Sequence, residues 1–266
     1  MNRIIDISFL SLAGSYLLLI IPLGIMLYQR VSMLKETVVA VIRMTLQLMF
    51  VGLYLQVVFK LNSPYLNLAW VAVMVLVADM SILKGCRLKI QRFVLPVFVA
   101  LLAGTALPVM AFVGPVLKLP GWFEAQYVIP LAGMILGNCL RADIIGLNNF
   151  YQAIKANEKA YHQSLAYGAG LTEALTPFFR EALRSALAPT LASMATIGLV
   201  SLPGMMTGVI LAGSDPFTAI KYQIGIMIAI FTGTSLTVFL AIRLTVRNSF
   251  NSYGILDHKI FRDIRH

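Results

Sequence analysis

Lysine and arginine are spread unevenly between the apolar stretches of this chain, and their distribution constrains the fold more than any other feature. Seven stretches have about the 20 apolar residues that a helix needs to cross about 30 Å of hydrocarbon: 7–28, 37–59, 66–83, 93–117, 127–147, 187–213 and 222–246. The connections on one side hold fifteen basic residues, and those on the other side hold four. Because basic loops stay in the cytoplasm, the sequence predicts an N-terminus outside and a C-terminus inside.

Composition supports an integral membrane protein. Of the 266 residues, 59% are hydrophobic and only 12% are charged, which is typical of an all-α, multi-pass protein of the inner or plasma membrane. We treat residues 1–266 as a single transmembrane domain. The net charge of +10 lies mainly in the inner connections, where it meets anionic lipid head groups. Nucleic acid is therefore not expected as a partner.

The one long connection, residues 148–186, is predicted to be cytoplasmic and helical, because its apolar and polar residues alternate at helical period. Gly168 and Gly170 indicate a helix end. Thr176-Pro177 resembles an N-cap followed by proline at the first helical position. The expected order is a helix, a glycine break, a short helix and a third helix that continues into the sixth span.

Motifs for enzymatic chemistry are missing from the sequence. It has no GxxxxGK[ST] phosphate loop and no HExxH zinc motif, and its three histidines are far apart. The two cysteines form no CxxC pair. We therefore expect no catalytic residue and no cofactor bound by this chain, and we assign no metal ligands.

Polar residues within the spans are the first candidates for function, because the bilayer makes them costly. Arg43 and Gln47 share one helix face, and Asp79 is a lone intramembrane carboxylate. Opposite charges in neighbouring spans predict an Arg43–Asp79 pair, which either serves transport or only holds two helices together. Alternatively, both side chains extend to the inner membrane surface. The fifth span adds three more polar residues to the candidate pathway: Asn138, Arg141 and Asp143.

Two GxxxG motifs, Gly133–Gly137 and Gly204–Gly208, could let another helix pack closely, within one subunit or between two. Pro203 predicts a broken sixth span, and a broken helix at membrane depth needs protein or a cavity beside it. Met205 and Met206 add thioethers suited to softer metals, although packing alone also explains methionines.

Several segments resemble the FetB/YbbM family of ABC-transporter permeases. They are IPLAGMILGN at 129–138, ATIGLVSLPGMMTGVILAGSDP at 195–216, AIKYQI at 219–224 and IRMTLQL at 42–48. The resemblance implies a membrane subunit that works with a separate ATPase and is linked to iron export, with plant relatives linked to aluminium tolerance. The family's LSLGA-x-P stretch reads SLAYGAGLTEAL here, so its proline is missing.

A chain without its own ATP site needs an ATP-binding partner if ATP drives transport. We expect the partner to contact a short coupling helix in the long connection, through Gly168, Gly170, Leu171, Glu173 and Leu175. We also expect a homodimer, since seven spans are only one half of such a transporter. The alternative function is an ion-coupled secondary transporter that uses Asp79 or Asp143.

Overall fold

Nine helices account for most of the chain in a computed structural model that describes residues 8–118, 123–251 and 253–261. Their bounds are α1 Phe9–Tyr28, α2 Leu34–Leu61, α3 Pro64–Gly85, α4 Ile90–Ala111, α5 Ala125–Ala156, α6 Glu158–Ala166, α7 Leu171–Thr196, α8 Gly204–Leu211 and α9 Pro216–Ser249. Helix α1 includes a 3₁₀ turn at Tyr16–Leu19, and a π-helical turn at Phe112–Val116 extends α4. The predicted all-α fold is confirmed.

Six of these helices, α1 to α5 and α9, are long and apolar enough to cross a membrane. They match six of the seven predicted spans. The fifth continues to Ala156, nine residues past its predicted end, because its inner part is amphipathic and packs along α7 and α9. The predicted span over 187–213 is broken, as Pro203 indicated. Its first part is the end of α7, residues 197–203 are not helical, and the rest is the short helix α8.

The predicted helix start at Thr176-Pro177 is wrong. Helix α7 begins after its N-cap residue Gly170 and passes through Pro177 without interruption. The Thr176 hydroxyl donates to the carbonyl of Thr172 at 2.7 Å, as a threonine within a helix does. Burial of Ala174 and Leu175 holds this turn against the bundle. There is therefore no separate short helix after the glycine break.

The core is a bundle of α3, α4, α5 and α9, with α7 packed along α5 and α9. The closest approach is between α4 and α9. A Cβ atom added at Gly104 would overlap the Thr237 methyl group and lie 3.0 Å from the Gly233 carbonyl oxygen. One added at Gly233 would lie 2.7 Å from the Gly104 carbonyl oxygen. These two glycines let the backbones of the two helices touch.

Contacts along the bundle give the relative directions of its helices. Gly133 lies beside Met74 and Gly85 beside Ile144, so α3 and α5 are parallel. Gly104 meets Gly233, whereas Phe112, further along α4, meets the earlier residue Gly225 of α9. Helices α4 and α9 are therefore antiparallel.

The chain after α9 folds back over the ends of α4 and α6. Arg92 at the start of α4 pairs with Asp257 at 2.5 Å, and this pairing, with backbone N–H donors, lowers the pKa of that carboxyl group. The Tyr161 hydroxyl of α6 donates to the carbonyl of Gly254 at 2.6 Å. Burial raises the pKa of Tyr161 to about 12, so its hydroxyl keeps the proton it donates.

Candidate transport pathway

The charged residues expected to pair within the membrane do not meet. Arg43 and Gln47 lie on the exposed side of α2, and no ion pair joins Arg43 to Asp79, both of which are among the described residues. The predicted Arg43–Asp79 pair is therefore wrong. It fails because α2 packs only loosely against the bundle, whereas Asp79 is fully buried inside it.

Asp79 and Asp143 are both completely buried, and neither carboxylate accepts a hydrogen bond from the described residues. Asp143 lies one turn before Gly146, which packs against Val238 of α9, so it belongs to the face of α5 that meets α9. Because buried carboxylates without partners are costly, Asp79 and Asp143 are candidates for a function beyond packing.

Asn138 and Arg141 line a cavity of about 190 Å³ between α5 and α7. An Arg141 guanidinium nitrogen donates to the Asn138 side-chain oxygen at 3.3 Å, and the Asn138 amide donates to the Met134 carbonyl at 2.8 Å. Thr190 and Ser193 line the opposite wall. The structure thus brings together Asn138 and Arg141 but places Asp143 on another face of the same helix.

Helix α7 stops inside the bundle rather than at its end. Gly146 of α5 packs beside Ala186 of α7, and Asn138 shares a cavity with Ser193, so the two helices are antiparallel. By this register Thr196, the last residue of α7, is level with Leu136. Leu136 is eleven residues into α5, about 16 Å from its start. A start at the outer surface would put the break near the middle of about 30 Å of hydrocarbon.

The unwound segment, residues 197–203, exposes its backbone. Gly198 has φ +85°, a conformation that glycine adopts without strain. The side chains of Leu199 and Val200 are 90% and 80% exposed. Within the described residues the carbonyls of Gly198, Leu199 and Val200 accept no backbone hydrogen bond. Backbone in this state does not face lipid at membrane depth; it needs protein or water beside it.

Pro203 and Met206 line a second cavity, of about 420 Å³, between the unwound segment, the end of α7 and α9. Met194 and Met227 share it, as does the largely buried side chain of Gln223. Met205 is not part of its lining and packs toward the bundle core instead. Sequence reasoning missed Met194 and Met227, because residues 12 and 21 positions from Met206 give no local signal.

The GxxxG glycines do not form the close contacts inside this chain. A Cβ atom at Gly133 would lie 3.2 Å from the Met74 methyl carbon, but at Gly137, Gly204 and Gly208 it would meet no atom of the described residues within 4 Å. The close helix contact uses Gly104 instead, which has no GxxxG partner and was missed for that reason.

The expected coupling residues surround the turn between α6 and α7. Gly168 has φ +92°, and Gly168, Gly170 and Glu173 are exposed. Leu171 is half-buried, and Leu175 is only 5% exposed. Leu175 packs in the core, so its side chain is not available to a partner. Beside the turn, Tyr167 is 82% exposed and was not predicted.

Leu171 and Leu175 line a third cavity, of about 340 Å³, with Arg243 and Arg247 of α9 at its wall.

Among residues 8–118, 123–251 and 253–261, no three histidine, cysteine, aspartate or glutamate side chains come close enough to hold a metal ion. Burial raises the pKa of the Cys86 thiol to about 12, which leaves it protonated and a weak ligand.

Comparison with known proteins adds the following relatives. The profile of a family described as Uncharacterised protein family (UPF0014) matches residues 9–250. The "Probable iron export permease protein FetB" of Escherichia coli is 34% identical over 91% of this chain and 92% of its own length. "UPF0014 membrane protein YjkA" of Bacillus subtilis is 30% identical over 91% and 96%. "Protein ALUMINUM SENSITIVE 3" of Arabidopsis thaliana is 34% identical over 75% and 71%. No solved structure matches.

Proposed function

Because the chain belongs to the UPF0014 family of multi-pass membrane proteins, we propose that it is the membrane subunit of an ATP-driven exporter of iron or another small solute. A separate ATP-binding subunit hydrolyses the ATP. The relative from Escherichia coli named as a probable iron export permease, similar over nearly the whole of both chains, is the observation that carries this proposal. The lack of a phosphate-binding loop in this sequence supports a separate ATPase.

The pathway in this proposal runs beside the break between α7 and α8. Unwound backbone at membrane depth is tolerated beside a cavity or protein, and broken helices of this kind surround the binding sites of many transporters. The cavities lined by Arg141 and by Met206 follow one another along α7, the first at residues 186–193 and the second at residues 194–197 and the unwound segment. Asp79 and Asp143 are buried in the core.

A homodimer would cover the surface that one chain leaves open. Residues 198–202 are exposed, and a Cβ atom added at Gly204 or Gly208 would meet none of the described residues within 4 Å. A second copy packed there would enclose the pathway between two identical walls. This arrangement gives a reason for two glycines with no neighbour inside the chain.

The orientation we propose keeps the N-terminus outside and the C-terminus inside. The basic-residue distribution supports it. It places the turn between α6 and α7 in the cytoplasm, where the exposed Tyr167, Gly168 and Glu173 form the surface offered to the ATPase.

A second candidate function, ion-coupled transport without ATP, is favoured by the two buried carboxylates that have no partner. Such groups are typical of proton relays in transporters. Asp79 and Asp143 line none of the three cavities described above, which is why we rank this candidate second.

Inverted membrane vesicles test the two functions together. We expect them to accumulate iron only when they contain this chain, a candidate ATP-binding subunit and ATP. Uptake that needs no ATPase but collapses with the pH gradient, and that is lost in Asp143→Asn, would replace the first proposal with the second. Reporter fusions after Arg265 and in the 118–126 connection check the orientation.

A further inference from the structure

The cavity between α5 and α7, hereafter the α5–α7 cavity, is lined by groups that donate hydrogen bonds. The Arg141 guanidinium has five N–H groups, of which one is directed to Asn138. Thr190 is 9% exposed, and its hydroxyl makes no hydrogen bond with the described residues although it lines the cavity. A threonine in a helix commonly bonds to the preceding turn, as Thr196 does here. Thr190 is thus left open to a ligand.

The α5–α7 cavity carries a positive charge and no negative one. Its lining contains Arg141 but no aspartate or glutamate, and Arg141 takes part in no ion pair with the described residues. The nearest acid in sequence, Asp143, lies on the face of α5 that packs against α9. A cation within the membrane-spanning part of a helix needs a counter-charge or water, and this cavity provides the room for one.

The position of Arg141 fits a ligand that moves through the membrane. It is sixteen residues into α5, about 24 Å from the start of that helix, and therefore inside the inner half of about 30 Å of hydrocarbon.

We infer that the α5–α7 cavity binds an oxyanion, a carboxylate or phosphate group. Guanidinium pairs with both in a bidentate geometry, and the Thr190 hydroxyl supplies a further donor. The inference rests on the proposed permease function and narrows its substrate. The exported solute is anionic, and a metal ion leaves as a carboxylate complex rather than as a bare cation.

Equilibrium binding of radiolabelled citrate and of inorganic phosphate tests the inference on the full chain in phosphatidylcholine nanodiscs. Wild type should bind at least one of them. Arg141→Gln should weaken binding about tenfold or more, since a hydrogen bond to a charged group contributes about 1.5–3 kcal/mol. Thr190→Val should weaken it less, and Arg141→Lys should retain part of it. Arg184→Gln, at an exposed arginine on α7 outside the cavity, is the matched control and should bind as wild type does.

A second arm separates a free solute from a lipid head group, which offers the same phosphate chemistry. Wild type and Arg141→Gln are placed in nanodiscs that contain phosphatidylglycerol, and the amount of this lipid that stays with each purified chain is measured. Retention of this lipid through Arg141, without binding of citrate or phosphate, would overturn the assignment to a solute. Equal binding by wild type and Arg141→Gln, or no binding of any probe, would overturn the oxyanion site. Neither result would decide the proposed permease function, which the measurement of ATP-driven transport in vesicles tests separately.

Discussion

Helices α1 and α2 and the bundle of α3, α4, α5 and α9 are similarly apolar, yet they are buried very differently. No residue of α1 is buried, and in α2 only Val58 is. In α9, by contrast, thirteen residues are buried. Hydropathy reports whether a helix avoids water, but it does not distinguish a lipid neighbour from a protein neighbour. Burial of small and polar residues makes that distinction, because close backbone packing and specific polar contacts form with a protein neighbour and not with lipid tails.

The attachment between the two regions is narrow. The Tyr54 ring of α2 stacks on Trp70 of α3 with their centroids 4.1 Å apart, and Asn62 after α2 accepts a hydrogen bond from the Ala125 N–H at 3.0 Å. Both contacts are near one end of α2. Arg43 and Gln47, further along the same helix, have no neighbour in the bundle, so their partners must come from another molecule or from water.

The largest expected difference between the two regions comes from one matched pair of glycine variants. Gly104→Ala should destabilise the fold by about 1–3 kcal/mol, because the new methyl group overlaps Thr237. Gly52→Ala in α2, where no atom lies within 4 Å, should be neutral or stabilising by up to about 1 kcal/mol. Thermal unfolding in detergent measures both. Equal effects at the two sites would show that the α4–α9 contact is not close.

Arg43→Leu tests what covers α2. We expect the change to ease membrane insertion and to leave self-association in nanodiscs unchanged, because a charge within a span is costly unless it meets a polar partner and the proposed dimer contact lies at residues 197–208. Leu46→Ala, at a 64% exposed residue of the same helix, is the control and should have less effect on insertion. Weaker self-association of Arg43→Leu would mean that α2 belongs to the dimer contact.

Trp70→Ala should loosen α2 while leaving the bundle intact. A stacked aromatic pair contributes about 0.5–1.5 kcal/mol beyond its buried area, and this pair is the main side-chain link of α2 to α3. Hydrogen exchange should become faster in α2 and remain unchanged in α4 and α9. Faster exchange throughout the chain would show that the two regions unfold together.

The smallest effect is expected at the start of α9, where the Asp215 carboxylate caps the helix by accepting from the Thr218 N–H at 2.8 Å. This bond lowers the pKa of Asp215. The stabilisation from this bond is therefore fully present above the pKa of an aspartate in the unfolded chain, about 3.9. It is lost as the pH falls through the lower pKa that Asp215 has in the folded protein. Asp215→Asn should keep the cap and remove that part of the acid dependence of Tm, whereas Asp215→Ala should lose the cap at every pH. A Tm for Asp215→Ala equal to that of wild type at neutral pH would contradict this.

Six spans and the membrane class could be predicted from the sequence, because a stretch of about twenty apolar residues has the length and composition of a membrane-spanning helix. The break before α8 was only half predicted. Pro203 signalled it, but the extent of the unwound segment depends on Gly198 and on how far α7 packs along α5. The Arg43–Asp79 pair failed because charge and depth do not reveal how closely two neighbouring helices pack. Gly104 was missed because it has no GxxxG partner and because the residues it contacts, Gly233 and Thr237, are more than a hundred residues away.

The chain that follows α9 has a mechanical consequence. Residues 253–261 tie Tyr161 of α6 to Arg92 of α4 through two short polar contacts, and Ile260 in the same segment is completely buried. In the orientation we propose, this segment lies on the cytoplasmic side. A displacement of α6 by a partner there would be transmitted through the segment to the start of α4, and so to the helix that packs against α9 at Gly104.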